Sequence, residues 1–362
     1  MKPVFLSLLF LTTLQIVLAQ NALAETAPTG NVADKKSIDE ALDYLNKMGE
    51  ALRSLNYQGT LVYMHNGQVE TMQLIHKKDD SGETERLVHM SGEAREVVRK
   101  GDTVTCYMPD SQSVVVGKRR FNSHLLAKLR ANFKDFVDFY SFIVGGEDRV
   151  AGRMARIVMI NPKDDYRYGY RLWLDKGNYL LLKSEMVDAK DNALEQIVFA
   201  NIDVVDNIPD QMLLPAVNGE KFTWHSGGKS GDDNTAVAEP SAWQIKSLPK
   251  GFVVTGHFKQ TMPNSNQPAD HMVLSDGLAS ISIYIENFAA ESQGFVGASQ
   301  MGAINIFGTI HDDYKVTVVG EVPENTVKMI SESVYNDSPA NHSINSTQAS
   351  PVQQNVAPGD GG

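Results

Sequence analysis

The chain has 362 residues, 42% of them hydrophobic and 21% charged, with a formal net charge of -11. That length supports two domains with separate cores. The acidity excludes nucleic acid as a partner, because phosphate binding calls for clustered positive charge that displaces counterions, and it weighs against electrostatic attraction of the whole molecule to anionic lipid.

The first 24 residues read as an export signal. Lys2 gives a positive start, Val4 to Leu18 is apolar, and Ala22-Leu23-Ala24 supplies the small-x-small pattern of a signal-peptidase site at Ala22 and Ala24. The apolar run, about 15 residues against the ~20 of a spanning helix, is short for a membrane anchor, although an uncleaved anchor remains the alternative. Cys106 is the one cysteine, so no intramolecular disulfide can form in a compartment that would allow one. Its strand-like setting, Thr103 to Met108, reads as a small buried hydrophobe.

The mature fold is expected to open with a helix. Ser37-x-x-Glu40 makes a capping box, and Ile38, Ala41, Leu42, Leu45, Met48, Leu52 and Leu55 follow at helical spacing. From Tyr57 the pattern becomes an antiparallel meander, with strands predicted near 59–65, 69–77, 84–90, 95–99, 103–108 and 112–117. Asn66-Gly67 is its clearest hairpin turn, since both residues tolerate the positive φ of a type I′ turn. Lys118, Arg119 and Arg120 form a basic cluster that reads as a solvated turn. A second helix is predicted over 122–140, where Leu125, Leu126, Leu129, Phe133, Phe136, Val137 and Tyr140 recur at three and four residues. Strands resume near 149–160, 166–174, 179–187 and 193–205. About ten strands and two helices point to a curled sheet or incomplete barrel that can enclose a cavity.

Residues 206–242, with their run of Gly, Ser and Asp, read as a linker or long loop. A second unit over 243–335 is predicted to hold strands near 252–260, 271–275, 279–287, 302–308 and 313–320, with Asp276-Gly277 as its tight turn and a helix over 324–334 after Pro323. Residues 336–362 bury too little to offset their ordering entropy and are expected to be disordered. The fold class is therefore α+β, mainly β.

Nine histidines lie without ligand spacing; His65, His76 and His89 sit on neighbouring predicted strands, and the preferred reading is ordinary core or surface histidines. Gly228-Lys229-Ser230 lacks the first glycine of a phosphate loop, because position 223 is Thr223. Gly297-Ala298-Ser299-Gln300-Met301 lacks the closing glycine of a nucleophile elbow and reads as loop. Gly145-Gly146-Glu147-Asp148 reads as a solvated turn rather than a cation site. No catalytic residue, metal ligand or cofactor is assigned. The helix face with Leu126, Leu129, Phe133 and Phe136, together with Trp173, is the candidate lipid-cavity lining; plain core packing is the alternative, since the two look alike in a sequence.

Several segments, in order, carry a family resemblance: Ser54-Leu55-Asn56-Tyr57-Gln58-Gly59-Thr60, Arg95 to Pro109, Phe139-Tyr140-Ser141-Phe142, Tyr168 to Asp175, Leu248-Pro249-Lys250-Gly251-Phe252, Tyr284 after Ser275-Asp276-Gly277-Leu278, and Val318 to Pro323. Together, from about Lys36 to Tyr335, they resemble the RseB/MucB family. The resemblance implies a large N-terminal domain over 36–205 similar to the carriers LolA and LolB, an unclosed antiparallel barrel over helices, and a smaller sheet-plus-helix domain. It implies a periplasmic protein that binds the periplasmic segment of the anti-sigma factor RseA/MucA, protects it from proteolysis, and is released by lipid or lipopolysaccharide signals. On that reading Trp243, Ile281, Ile283 and Tyr284 are partner-binding candidates. A periplasmic carrier of lipids or lipoproteins is the runner-up, an enzyme such as a lipid hydrolase comes third, and a homo-oligomer is left open.

Overall fold

The structure is a computed structural model and describes residues 32–118, 132–217, 219–226, 242–261, 268–288, 295–311 and 313–337. Two meanders build the larger sheet. The first runs through β1 (Asn56–His65), β2 (Gln68–Asp79), β3 (Gly82–His89), β4 (Glu96–Lys100), β5 (Thr103–Met108) and β6 (Ser113–Lys118). The second runs through β7 (Tyr140–Val150), β8 (Arg153–Pro162), β9 (Gly169–Asp175), β10 (Leu181–Val187) and β11 (Ala193–Val205). They join where β1 pairs with β11, from Asn56 opposite Val205 to His65 opposite Glu195. A last strand, β12 (Thr223–Ser226), adds in parallel to β6, giving twelve strands in the order β12-β6-β5-β4-β3-β2-β1-β11-β10-β9-β8-β7. The end strands β12 and β7 do not pair, so the sheet is unclosed, as expected.

Helix α1 (Val32–Ser54) closes the inner face of this sheet with the predicted stripe: Ala41, Leu45 and Met48 have no exposure, and Leu42, Ala51 and Leu52 are buried beside them. It begins five residues before Ser37, because Val32 to Lys36 holds neither glycine nor proline to stop a helical turn from extending backwards. The hairpin at Asn66-Gly67 has the expected positive φ at both positions, 47° and 71°.

The second helix is corrected over its last part only, since residues 122–131 lie outside the described residues. Of its predicted span, Phe133–Phe136 is a short 3-10 turn and Tyr140 already starts β7; Leu125, Leu126 and Leu129 lie outside the described residues. Three phenylalanines, Phe133, Phe136 and Phe139, fall at helical spacing there because one turn must fill pockets on several sides, and the same spacing suits either geometry. The single strand expected over 149–160 is in fact the end of β7 and most of β8, folded at Ala151-Gly152, where both residues have positive φ.

The segment expected as linker from 206 carries structure as far as Ser226. It forms 3-10 turns at Asp210–Leu213 and Gly219–Lys221, then β12. Its order has an apolar and a polar cause. Ile208 and Leu213 pack on Ile75 of the sheet's outer face, and the Glu96 carboxylate, 3% exposed, accepts the Arg86 Nε proton at 2.5 Å and the Ala216 backbone N–H at 3.0 Å. Arg86 in turn donates Nη1 to the Met212 carbonyl at 3.0 Å.

The smaller sheet comprises β14 (Val253–Thr261), β15 (Pro268–Ser275), β16 (Ser280–Asn287), β17 (Gly297–Met301), β18 (Ile304–His311) and β19 (Tyr314–Gly320), in the order β14-β15-β16-β19-β18-β17. Strand β17 replaces the loop expected from Gly297 to Met301, and its Ser299 is an exposed edge residue opposite Ile306. Helix α2 (Glu324–Ser333) covers one face through Val327 and Ile330, and β13 (Trp243–Ile245) pairs with β20 (Val334–Asn336) beneath it. The tail beyond Asp337 lies outside the described residues.

Substituting Glu96→Ala strands the Arg86 charge and frees the Ala216 N–H, so it is expected to cost about 3 kcal/mol. Denaturant unfolding measures the loss, and hydrogen exchange should rise first across Ile208 to Phe222.

Candidate functional site

Among the described residues, no set of three or more His, Cys, Asp or Glu is placed to hold a metal ion. His65 and His89 flank Glu70, at 3.1 and 3.4 Å, while His76 is buried, stacked on Tyr57 and bonded through Nδ1 to the Leu55 carbonyl. A polar cleft of about 490 Å3 adjoins this group, lined by Gln68, Glu70, His89, Ser91, Glu93 and Arg95 among others.

The densest polar constellation lies where the two sheets meet. Arg167, in the loop between β8 and β9, and Asp276, in the turn between β15 and β16, both have side chains with no exposure. Arg167 donates Nε to Asp276 Oδ2 at 2.6 Å, Nη1 to Asp164, and Nη2 to the Lys250 carbonyl. The Tyr140 hydroxyl donates to the same Asp276 oxygen at 2.9 Å. The other oxygen, Oδ1, accepts the backbone N–H groups of Leu278 and Ala279 at 2.9 and 2.7 Å, so the tight turn read from Asp276-Gly277 is also what aims the carboxylate. The guanidinium lies 5.3, 5.6 and 4.8 Å from the ring centres of Phe139, Tyr140 and Phe252, a cation-π cage in a dry setting.

Charge and burial set the protonation of this seam. Burial opposes the Arg167 charge, and the Asp276 carboxylate more than offsets it, holding the guanidinium above its ordinary pKa. Burial, and then the Asp276 charge, push the Tyr140 phenol well above its ordinary value. Tyr170, also buried, is raised first by burial and then by Glu321, Asp276 and Glu195.

Neutral contacts extend the seam. Asn305 donates to the Tyr168 hydroxyl at 2.9 Å and to the Val322 carbonyl at 2.8 Å. Asn325 and Thr326, opening α2, donate to the carbonyls of Asp165 and Tyr166. Leu278 and Ala303 of the second lobe are buried in the core of the first.

The candidate residues fall into distinct places. Phe133 is fully buried, edge-on to Phe136 and Phe142, and Phe136 is buried beside it; both are packed core. Trp173 is 6% exposed, donates Nε1 to Asp148 at 2.9 Å, and lies under the Lys183 ammonium at 4.1 Å. None of these three lines the cleft. Ile281 and Ile283 have no exposure, since they point from β16 towards α2, and Trp243 packs edge-on to Tyr314 in the same core; these side chains are closed off from a partner. Tyr284, half-buried, points to the opposite face of β16, where it stacks on His271 at 4.4 Å. The Arg167–Asp276 pair escaped the sequence reading because its members are 109 residues apart and charged residues in turns ordinarily face water.

A second feature lies on the inner face of the large sheet. Leu74, Leu87, Val97, Cys106 and Val115 are successive cross-strand partners from β2 to β6. Leu74 is buried in the core with α1, whereas the other four are half-buried. An apolar row thus runs out from under the helix.

Family models described as the MucB/RseB N-terminal domain and the MucB/RseB C-terminal domain match residues 40–217 and 237–335. The sigma-E factor regulatory protein RseB of Haemophilus influenzae is 27% identical over 88% of this chain and 98% of its own. The sigma factor AlgU regulatory protein MucB of Pseudomonas aeruginosa is 31% identical over 82% and 90%. A crystal structure of MucB in complex with the periplasmic part of MucA superposes with a TM-score of 0.65 at 29% identity, covering 82% of this chain and 99% of that one.

Replacing Asp276→Asn leaves the Arg167 charge buried without its counter-charge and is expected to cost about 3–5 kcal/mol. Denaturant unfolding gives the loss, and small-angle scattering should show a larger radius of gyration as the lobes part. Tyr140→Phe is expected to cost about 1.5–3 kcal/mol at neutral pH, where a bond to a charged acceptor is lost. Because the folded phenol has the raised pKa, its stabilisation is full below the unfolded value near 10 and falls as pH rises beyond it. The gap between wild type and Tyr140→Phe should therefore shrink above about pH 10 in unfolding curves.

Proposed function

Because the chain belongs to the MucB/RseB family, we propose that it is a periplasmic regulator that binds the periplasmic part of an RseA/MucA-type anti-sigma factor and shields it from proteolysis, restraining a sigma-E-type envelope-stress response. The observation that carries this is the match through both lobes to MucB held in a complex with the periplasmic part of MucA. The apolar start of the chain, with Ala22 and Ala24 at the expected cleavage site, supports export to the same compartment. Its action is binding rather than catalysis, in keeping with relatives named as regulatory proteins.

Release of the partner by a lipid or lipopolysaccharide-type signal is the finer part of the proposal. What supports it is the half-buried apolar row of Leu87, Val97, Cys106 and Val115, which crosses four strands about 5 Å apart and offers an acyl chain an apolar strip. In thermodynamic terms the signal lowers partner affinity by the difference between its own affinities for the free and engaged conformations, and the coupling is reciprocal. Among the partner-binding candidates, Tyr284 is the one whose side chain leaves the core for the open face of the smaller sheet.

Purified mature protein is expected to bind the periplasmic segment of its host's anti-sigma factor saturably in calorimetry, and acyl lipid should weaken that binding. Tyr284→Ala should lower affinity about ten- to a hundredfold with the fold intact. No binding, with tight lipid uptake in its place, would replace this reading by the lipid carrier; unchanged affinity in Tyr284→Ala would take the open face out of the partner surface.

A further inference from the structure

The 3-10 turn Phe133–Phe136 and the residues that follow it touch both lobes at once. Phe133 has no exposure and sits 6.3 Å from Phe142, in the same core as Leu45 and Met48 of α1. The Phe136 ring lies against Gly277 of the second lobe so closely that an added Cβ there would come within 2.3 Å of it. The Phe139 ring fills the matching space at Gly251, where a Cβ would come within 2.6 Å. Both glycines have positive φ, +99° and +92°, so neither position readily takes a side chain on two independent grounds. One ring of this turn is thus plugged into the large core, and two rings seven residues or fewer away are keyed into glycine notches of the other lobe.

We propose that this turn is a mechanical coupler: displacing Phe133 from the large-lobe core withdraws Phe136 and Phe139 from Gly277 and Gly251 and loosens the second lobe, and the reverse holds equally. The physical ground is that close-packed interiors transmit displacement instead of absorbing it, and the short turn carrying Phe133 and Phe136 is tied on to Phe139 by the Phe139 N–H bond to the Phe136 carbonyl at 2.9 Å. The device goes beyond the proposed function, since it requires no particular partner or ligand. It gives any molecule that repacks the large core a route to the second lobe through packed side chains.

Hydrogen exchange on the full mature chain tests it from both sides. Phe133→Ala removes the plug, and amides of Gly251, Phe252, Ala279 and Ser280, none of them in the core cluster that holds Phe133, are expected to exchange about tenfold faster. From the other side, Gly277→Ala drives Phe136 inward, and amides of Ala41 to Leu52 in α1 should accelerate by a similar factor. Gly302→Ala controls for backbone strain: Gly302 also has positive φ, +61°, in the second lobe, but its nearest neighbour is Asn66 at 3.4 Å, not an aromatic ring. Faster exchange confined to the substituted lobe in the first two variants, or an α1 response as large in Gly302→Ala as in Gly277→Ala, would overturn the coupler. If Phe133→Ala proves too unstable to assay, the comparison of the two glycine variants decides the matter alone.

Discussion

The relation between the two lobes depends on one buried ion pair. A guanidinium and a carboxylate that have both lost all contact with water cannot slide past each other by even a fraction of their bond length without a large electrostatic penalty. Apolar contact alone would allow the lobes a family of similar orientations. The Arg167–Asp276 pair selects one, because its remaining donors and acceptors are also fixed: Asp164, the Lys250 carbonyl, the Tyr140 hydroxyl and two backbone N–H groups surround it. Such pairs contribute little net stability over a well-packed apolar substitute. Here its contribution is orientation.

The large sheet is closed on its two faces by different means. Its inner face takes an amphipathic helix, α1, over part of its width and leaves the β3-to-β6 side half covered. Its outer face takes an irregular segment, Ile208 to Phe222, fastened by a small apolar cluster and the Glu96 carboxylate. Irregular backbone lying over a sheet has to find bonding partners outside the ladder, and Glu96 and Arg86 supply two of them. The asymmetry leaves the adaptable, apolar side facing inward and the polar, fixed side facing out.

Much of this was written legibly in the chain. Period-two alternation, with turns such as Asn66-Gly67, placed β1 to β6, and β11 begins and ends where the pattern said, at Ala193 and Val205. The helical stripe from Ala41 to Leu52 is the buried stripe. What failed did so for reasons of tertiary context. Phe133, Phe136 and Tyr140 recur at three and four residues, which local reasoning takes for a helix, but the Phe133 ring packs into the first lobe while the Phe136 ring lies against Gly277 of the second. Ile281 and Ile283 look like an accessible apolar strand until α2, more than forty residues later, is seen to lie over them. Residues 206–226 have a linker's composition, and partners far back in the chain, Ile75, Arg86 and Glu96, give them a place to lie. The buried pair at the seam was out of reach for the same reason: each of its members, taken alone, is an ordinary charged turn residue.

Strand β12 lies at one end of the twelve-stranded sheet, while the seam is held by the β8–β9 loop and the start of β7 at the opposite end. The second lobe is therefore fastened to the first at two remote places, covalently beside β12 and by side chains near β7. Between Ser226 and Ala242 the chain can reach at most about 55 Å when fully extended. A lobe released at the seam would remain confined within that reach of its docking place, so its return is intramolecular. Reclosure is then a first-order event, independent of how many copies the compartment holds, and an outside molecule competing for the vacated surface must outbid a neighbour that never diffuses away.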